Sequence, residues 1–437
     1  MLPKRRFSTW ILGLAATTML GGCGVIARSV AEQTTGTISP SPTEEARARA
    51  AWAYFRASRS GQTGMVEAIS GAGFTTPSAI GDQIAATIAA DRLRIIDRRE
   101  FDDTISATLS FLAAMPLSNG EMPARFYSTR NGGLMDPPNA GSDPGWSAVE
   151  TGRLLVWLRI LAQRYPVYEP FVTKAVARWQ TCRAIDDRGQ LRRALPGAQG
   201  FVNTPDSGTG YGDYAAQGFR AWGETVSAPS VDAGGATVSV EGTDFPLAGN
   251  EPLHSVPLAL LAIEFGWKTP QGASLGRERA LEQQLWKTQT ARWARTGIAT
   301  ARGDFRRTAA PYALTDAVLA AGYPWSTADQ SGKAYPELAL VSTRAATLLT
   351  VLHDGAHAKL LKKTVETLYD PGAGWYEGRY EAAGSYEWTR TSATNAAVLE
   401  AMLYNHVGPL FGKRKPLGPV MASGNDCALA DIVRSGR

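Results

Sequence analysis

Apolar positions in this chain recur every three to four residues, in segment after segment. The first such segment opens at Ser41-Pro42-Thr43-Glu44, a cap followed by proline and an early acid, and runs through Trp52 and Phe55 to about Ser58. The same period predicts helices over 80–97, 100–115, 147–163, 169–184, 211–222, 252–265, 277–295, 338–352, 356–367 and 392–405, with one more in the region 310–320. Strand patterns are few, and Thr237-Val238-Ser239-Val240 is the best of them. No shift in composition between 43 and 410 marks a boundary. The expected fold is all-α: about six helical hairpins closed into an α/α toroid, with long aromatic-rich loops and few short strands.

The loops at one end of such a ring line a central cleft. The most decorated loops share one pattern, aromatics and acids just before an apolar helix. Asp143-Pro144-Gly145-Trp146 feeds the helix that carries Glu150. Trp146 offers a flat face for a sugar ring, and Glu150 a proton donor or acceptor. The spacing Ser147-x-x-Glu150 is also that of a capping box, the reading this stretch alone favours. In Gly210-Tyr211-Gly212-Asp213-Tyr214, two tyrosines flank an acid that could instead face the helix dipole. Gly374-Trp375-Tyr376-Glu377-Gly378-Arg379-Tyr380-Glu381 joins three aromatics to two acids, although Glu377 beside Arg379 also reads as a surface ion pair. The fourth loop, 323–335, holds Trp325. The candidate catalytic groups are therefore Asp213 and Glu150, with Glu377 in reserve, since glycosidases set two carboxylates across the scissile bond. The candidate substrate-binding residues are Trp146, Tyr211, Tyr214, Trp325, Trp375, Tyr376 and Glu381.

Other chemistries find little support. His353 and His357 lack the acids or thiols of a metal site, so no metal is expected. No phosphate loop or dinucleotide fingerprint appears, so no cofactor is expected. No Gly-x-Ser-x-Gly elbow is present. A lyase acting on uronates would need a cleft lined with basic residues, and few fall in the candidate loops.

The chain of 437 residues is 44% hydrophobic and 19% charged, an ordinary globular composition. Its net charge of +5 owes three units to Lys4, Arg5 and Arg6, which begin a signal peptide over 1–22. The apolar run that follows is too short to span a bilayer comfortably. It ends in Leu20-Gly21-Gly22-Cys23, which resembles the lipobox of bacterial lipoproteins. Cys23 would then carry the lipid, with 23–42 a Ser/Thr-rich tether, 43–411 the folded domain and 412–437 a basic tail. Gly24 in place of Asp favours the outer membrane, by analogy with Gram-negative lipoproteins. Cys182 and Cys427 remain, and sequence leaves open whether they pair. Nothing suggests nucleic acid.

Several blocks together resemble the bacterial domain-of-unknown-function family numbered 3131. They include Ala51-Trp52-Ala53-Tyr54-Phe55, Gly145-Trp146-Ser147-Ala148-Val149-Glu150-Thr151-Gly152-Arg153, Gly210-Tyr211-Gly212-Asp213-Tyr214, Pro324-Trp325-Ser326, Ser342-Thr343-Arg344-Ala345-Ala346, Gly374-Trp375-Tyr376-Glu377-Gly378 and Thr394-Asn395-Ala396-Ala397. The resemblance spans roughly 51–410 in one consistent order. It implies a glycoamylase-like α/α toroid that accompanies exopolysaccharide or cellulose synthesis. It also raises Glu150, whose helix start is similar to an acid-bearing one in toroidal β-glucanases. The family usually has Trp-Asp where Ser78-Ala79 stand, and paired glutamates where Gly212-Asp213 stand. The expected function is that of an envelope lipoprotein, on the periplasmic face of the outer membrane, acting on a bacterial polysaccharide as a glycoside hydrolase or transglycosylase. Its partners would be the glycan, the bilayer and exopolysaccharide machinery. The alternative is a non-catalytic glycan-binding or export-scaffold lipoprotein.

Overall fold

The computed structural model describes residues 38–412, apart from 138, 207, 228–236 and 247–251. The signal segment, Cys23, most of the tether and nearly all of the tail lie outside them. Among the described residues there are eleven α-helices: α1 Pro42–Ala57, α2 Pro77–Arg92, α3 Arg98–Ala114, α4 Ala148–Arg164, α5 Glu169–Val176, α6 Tyr211–Ala221, α7 Ser255–Phe265, α8 Gly276–Thr296, α9 Thr343–Thr350, α10 Ala356–Val365 and α11 Ser392–Val407. Each falls inside or close to a segment that the periodicity predicts.

Six of them form a closed cycle. α2 packs on α4, α4 on α6, α6 on α7, α7 on α9, α9 on α11, and α11 back on α2. The other five lie outside this cycle: α1 against α11 and α2, α3 against α2, α5 against α4, α8 against α7 and α10 against α9. Outer and inner helices alternate along the chain except between α6 and α7. There a hairpin, β4 Thr237–Val240 with β5 Thr243–Pro246, follows α6 in the chain in place of a helix. The inner helices carry apolar residues all round because neighbours cover them on nearly every side. In α7 every residue from Ser255 to Phe265 is buried.

The fold is helical but not all-α. Three three-stranded sheets decorate it: β1 Trp146–Ser147 with β2 Arg192–Gly197 and β3 Gly200–Pro205; β6 Phe305–Arg306 with β7 Ala313–Ala320 and β8 Tyr323–Ala328; and β9 Leu340–Ser342 with β10 Gly378–Tyr380 and β11 Tyr386–Glu387. Strand β7 replaces the helix expected over 310–320. The turn after it explains why. Ala321 and Gly322 both take positive φ, 49° and 80°, the geometry that reverses two strands into a tight hairpin and stops a helix.

Small residues set the spacing of the inner cycle. A Cβ on Gly218 of α6 would lie 2.2 Å from the carbonyl oxygen of Gly152 on α4, and one on Gly152 would lie 2.5 Å from the Ala215 backbone. Gly218→Ala is expected to destabilise the protein by about 1–3 kcal/mol or more by forcing these helices apart. Denaturant unfolding would show this as a lowered midpoint, and an unchanged midpoint would mean that the helices are not so close.

Five inner helices meet in one buried polar cluster on the ring's axis. Arg153 of α4 bonds Asp82 of α2 at 2.5 Å, Glu264 of α7 at 2.9 Å, Glu400 of α11 at 2.5 Å and the Tyr214 hydroxyl of α6 at 3.0 Å. The Tyr214 hydroxyl in turn donates to Glu264 at 2.7 Å. One guanidinium thus faces three carboxylates. Burial, the largest effect, pushes Glu400 well above its ordinary range, and the neighbouring Glu264 and Asp82 charges push the same way against Arg153.

Candidate functional site

The N-termini of the six inner helices converge at one end, each behind a residue that begins it: Thr76, Ser147, Gly210, His254, Ser342 and Thr391. Their loops touch round the whole mouth. Thr76 and Ser78 adjoin Glu150. The Tyr211 ring meets the His254 ring edge-on at 5.0 Å. The Tyr211 hydroxyl accepts from Arg344 Nη2 at 3.0 Å. The Thr343 amide donates to the Glu377 carbonyl at 2.9 Å, and the Thr391 hydroxyl donates to the Glu377 carboxylate at 2.6 Å.

Glu150 points into this mouth because another acid has taken its capping role. The Glu150 amide donates to Ser147 Oγ at 3.2 Å, which is half of the expected box. The other half is missing. Asp206, brought in just after β3, accepts from Ser147 Oγ at 2.6 Å and from the Val149 amide at 3.1 Å. The Glu150 carboxylate is left over. Its Oε2 is enclosed, with no hydrogen-bond partner among the described residues. Burial raises its pKa above the ordinary value, and Arg306, Thr76, Arg125 and the Ser78 amide only partly offset that effect.

A second carboxylate at the mouth, Asp304, is absent from the sequence-level candidates. His254 Nδ1 lies 3.0 Å from Asp304 Oδ1, and Arg344 Nη2 donates to the Asp304 carbonyl at 3.3 Å. Burial alone would raise Asp304, but His254, Arg344 and Arg306 overcome it and hold the carboxyl below its usual range. Two acids that feel the same Arg306 are therefore displaced in opposite directions.

The remaining candidates divide. Glu377 borders the mouth from behind, buried and fully bonded: Oε1 accepts from Thr391 and Thr394, and Oε2 from the Arg306 amide at 3.2 Å. Burial raises its pKa. Tyr376 is half-buried there, edge-on to Trp388 at 4.9 Å, and Trp388 is 61% exposed. Across the mouth, Phe74 and Phe126 pack edge-on at 5.3 Å. The structure therefore brings Glu150, Tyr211, Glu377 and Tyr376 together.

It uses the others elsewhere. Asp213 supplies the capping contact that Glu150 does not. Its carboxylate accepts from the Gly210 amide at 3.0 Å and pairs with Arg277 of α8 at 2.5 Å. Tyr214 belongs to the axial cluster. The Trp375 ring is buried, and its Nε1 donates to the Arg47 carbonyl of α1 at 3.2 Å. Trp146 is buried and borders a separate cavity of about 280 Å³, shared with Asn119, Glu121 and Phe201. Glu381 pairs with Arg292 at 2.7 Å and Arg302 at 3.0 Å, and the same two guanidinia lie over the Trp325 ring. His353 contacts Glu282 at 2.7 Å and stacks on Trp286. Cys182 is disulfide-bonded, and the other two cysteines of the chain, Cys23 and Cys427, lie outside the described residues.

Asp213→Ala is expected to lower stability by about 0.5–2 kcal/mol through the lost acceptor for the Gly210 amide and to leave glycan cleavage near its starting rate. A loss of cleavage as deep as that from Glu150→Gln would restore Asp213 to the site.

Sequence reasoning missed Asp304, His254, Arg306, Arg344, Arg125 and Arg390. The signal for Arg344 was present, since it stands in the first turn of a helix among the blocks that carry the family resemblance. Nothing local marks Asp304.

The arrangement is similar to solved structures at the level of fold. Structures described as "putative glucoamylase" from Bacteroides fragilis and Bacteroides caccae superpose with TM-scores of 0.63 and 0.62, at 13% and 12% identity. These cover 88% and 84% of this chain and 97% and 94% of theirs. An endo-β-1,2-glucanase from Chitinophaga pinensis, in complex with sophorotriose and glucose, gives a TM-score of 0.56 at 10% identity, covering 84% of this chain and 93% of its own. No curated protein matches the chain. The model of the family DUF3131, proteins of unknown function, matches residues 46–408. The chain belongs to that family.

Proposed function

We propose that this protein cleaves or transfers glycosidic bonds of a bacterial polysaccharide, with Glu150 as the general acid and Asp304 as the base. The opposed displacement of these two carboxylates at one mouth carries the reading. A carboxyl kept neutral and one kept ionised are what acid–base cleavage requires. Glu150 gives its proton to the glycosidic oxygen as that bond breaks. Asp304 takes a proton from the water, or acceptor hydroxyl, whose oxygen bonds to the anomeric carbon. Tyr376 and Trp388 offer faces for sugar rings, and the six inner helices form an α/α toroid whose N-terminal loops make the cleft. Asp304 thus replaces Asp213 as the partner of Glu150. The similar β-1,2-glucanase bound to sophorotriose supports a glycan ligand. The lipobox-like Leu20-Gly21-Gly22-Cys23 supports anchoring at the periplasmic face of the outer membrane, where exopolysaccharide machinery would supply the chain's substrate. The disulfide at Cys182 fits such an oxidising compartment.

The test is to incubate the protein with β-glucans and native exopolysaccharide and follow released ends by mass spectrometry. Release that depends on Glu150 and Asp304 is expected. Binding without release would instead support the glycan-binding or export-scaffold reading.

A further inference from the structure

The mouth carries more positive charge than acid–base cleavage uses. Arg125, Arg306, Arg344 and Arg390 stand around it. Elsewhere in the fold Arg153, Arg292, Arg302 and Arg307 meet carboxylates, and Arg59, Arg192 and Arg220 meet hydroxyl or carbonyl oxygens. Among the described residues Arg125, Arg306 and Arg390 have no ion pair. Arg306 is exposed, and only its amide is engaged, by Glu377. Arg125 lies over the Phe126 ring at 5.1 Å, and Arg390 over the Tyr376 ring at 6.0 Å. Stacking of this kind fixes a guanidinium plane and leaves its edge free for a ligand. The Nε groups of Arg344 and Arg390 are buried with no partner among the described residues.

The acids do not balance these cations. Glu377 is saturated by hydroxyls and an amide, and Glu150, although it feels Arg306 and Arg125, forms no ion pair with either among the described residues. Asp304 faces His254 and Arg344 and also feels Arg306. Six helix N-termini add further positive potential at the same end. A neutral glucan would meet none of these edges with charge. A planar carboxylate meets a guanidinium edge with two parallel hydrogen bonds.

We infer that the polysaccharide accepted here carries carboxylate groups, as uronic acids or carboxyl-bearing substituents, held by the free edges of Arg306 and Arg125 with Arg390 on the far rim. This rests on the glycan-cleaving reading above, but binding can be read without cleavage. The uronate chemistry that sequence analysis found unsupported thus returns, because the ring gathers arginines that lie singly in the sequence.

The full chain would be titrated with a neutral β-glucan and with the same glucan after oxidation of its primary alcohols to carboxylates. The oxidised glucan is expected to bind at least about tenfold more tightly at low salt, with the advantage shrinking as salt rises. In Arg306→Gln with Arg125→Gln, that ratio should fall to within about threefold. Equal binding of the two glucans would overturn the inference and leave the hydrolase reading standing. A sulfated copy binding as tightly as the oxidised one would overturn the carboxylate assignment. Preference for the oxidised glucan without released ends, or with release through an unsaturated product, would uphold the inference and remove the acid–base hydrolase reading.

Discussion

Glu150→Gln lowers glycan cleavage by about 10²–10⁴-fold, the range that one positioned proton donor supplies, while binding and fold persist. The fold persists because Asp206 and Ser147 cap α4 without the Glu150 carboxylate. Asp304→Asn produces a loss of the same order. It also removes the charge that faces His254 and Arg344, so a modest loss of stability accompanies it. The pH dependence of the unchanged protein follows from the same pair. Glu150 must be protonated, and burial raises its pKa, so the rate falls only when pH rises past that raised value. Asp304 must be ionised, and its cationic neighbours lower its pKa, so the rate falls only when pH drops below that lowered value. The active window is wider on both sides than two ordinary carboxyls would give. A rate that collapses between pH 4 and 5, where ordinary carboxyls titrate, would contradict this pairing.

Arg153→Met destabilises the protein by about 3–5 kcal/mol, the cost of leaving buried carboxylates without their cation. Methionine keeps much of the arginine stem's volume, so the loss reports charge more than space. Adding Glu264→Gln and Glu400→Gln to Arg153→Met should restore part of the lost stability, and simple additivity of the three changes would deny the coupling. The cluster also sets the pH dependence of stability. Glu400 and Glu264 have folded-state pKa values raised, chiefly by burial. The folded state therefore holds protons that the unfolded chain releases. The stability these two groups contribute is fully present below the ordinary glutamate value of 4.5 and is lost as pH rises through the raised values. Glu400→Gln keeps an oxygen for Arg153 and cannot ionise, so its denaturation midpoint should decline less as pH rises above the ordinary glutamate value of 4.5. Parallel curves for the two proteins would mean that Glu400 is already ionised in the fold.

The helices were legible because burial on all sides leaves long apolar runs, and their starts were legible because Pro42, Ser147 and Thr391 are ordinary opening residues. The segment 313–320 was not, since a short run of Ala, Leu and Val broken by Thr315 and Asp316 suits helix or strand equally. Its pairing with 323–328 through Ala321-Gly322 decided it. The site was legible in part. Glu150, Tyr211, Tyr376 and Glu377 stand beside aromatics in loops that enter inner helices, and that local pattern suffices to find them. Which of Glu150 and Asp213 serves as a cap was not local. It turns on Asp206, which reaches Ser147 across 59 residues, and on Arg277, which reaches Asp213 across 64. Asp304 gains its character from His254 and Arg344, 50 and 40 residues away, and only ring closure brings them together.

The central claim, that Glu150 donates the proton and Asp304 accepts one, is tested most directly with a substrate that needs no acid. A glycosyl fluoride of the cleaved glycan provides one, because fluoride departs without a proton donor. On it, Glu150→Gln is predicted to recover to within about tenfold of the unchanged protein, whereas Asp304→Asn stays at its low rate. Equal loss of both substrates in Glu150→Gln, or recovery of Asp304→Asn in its place, would contradict the assignment.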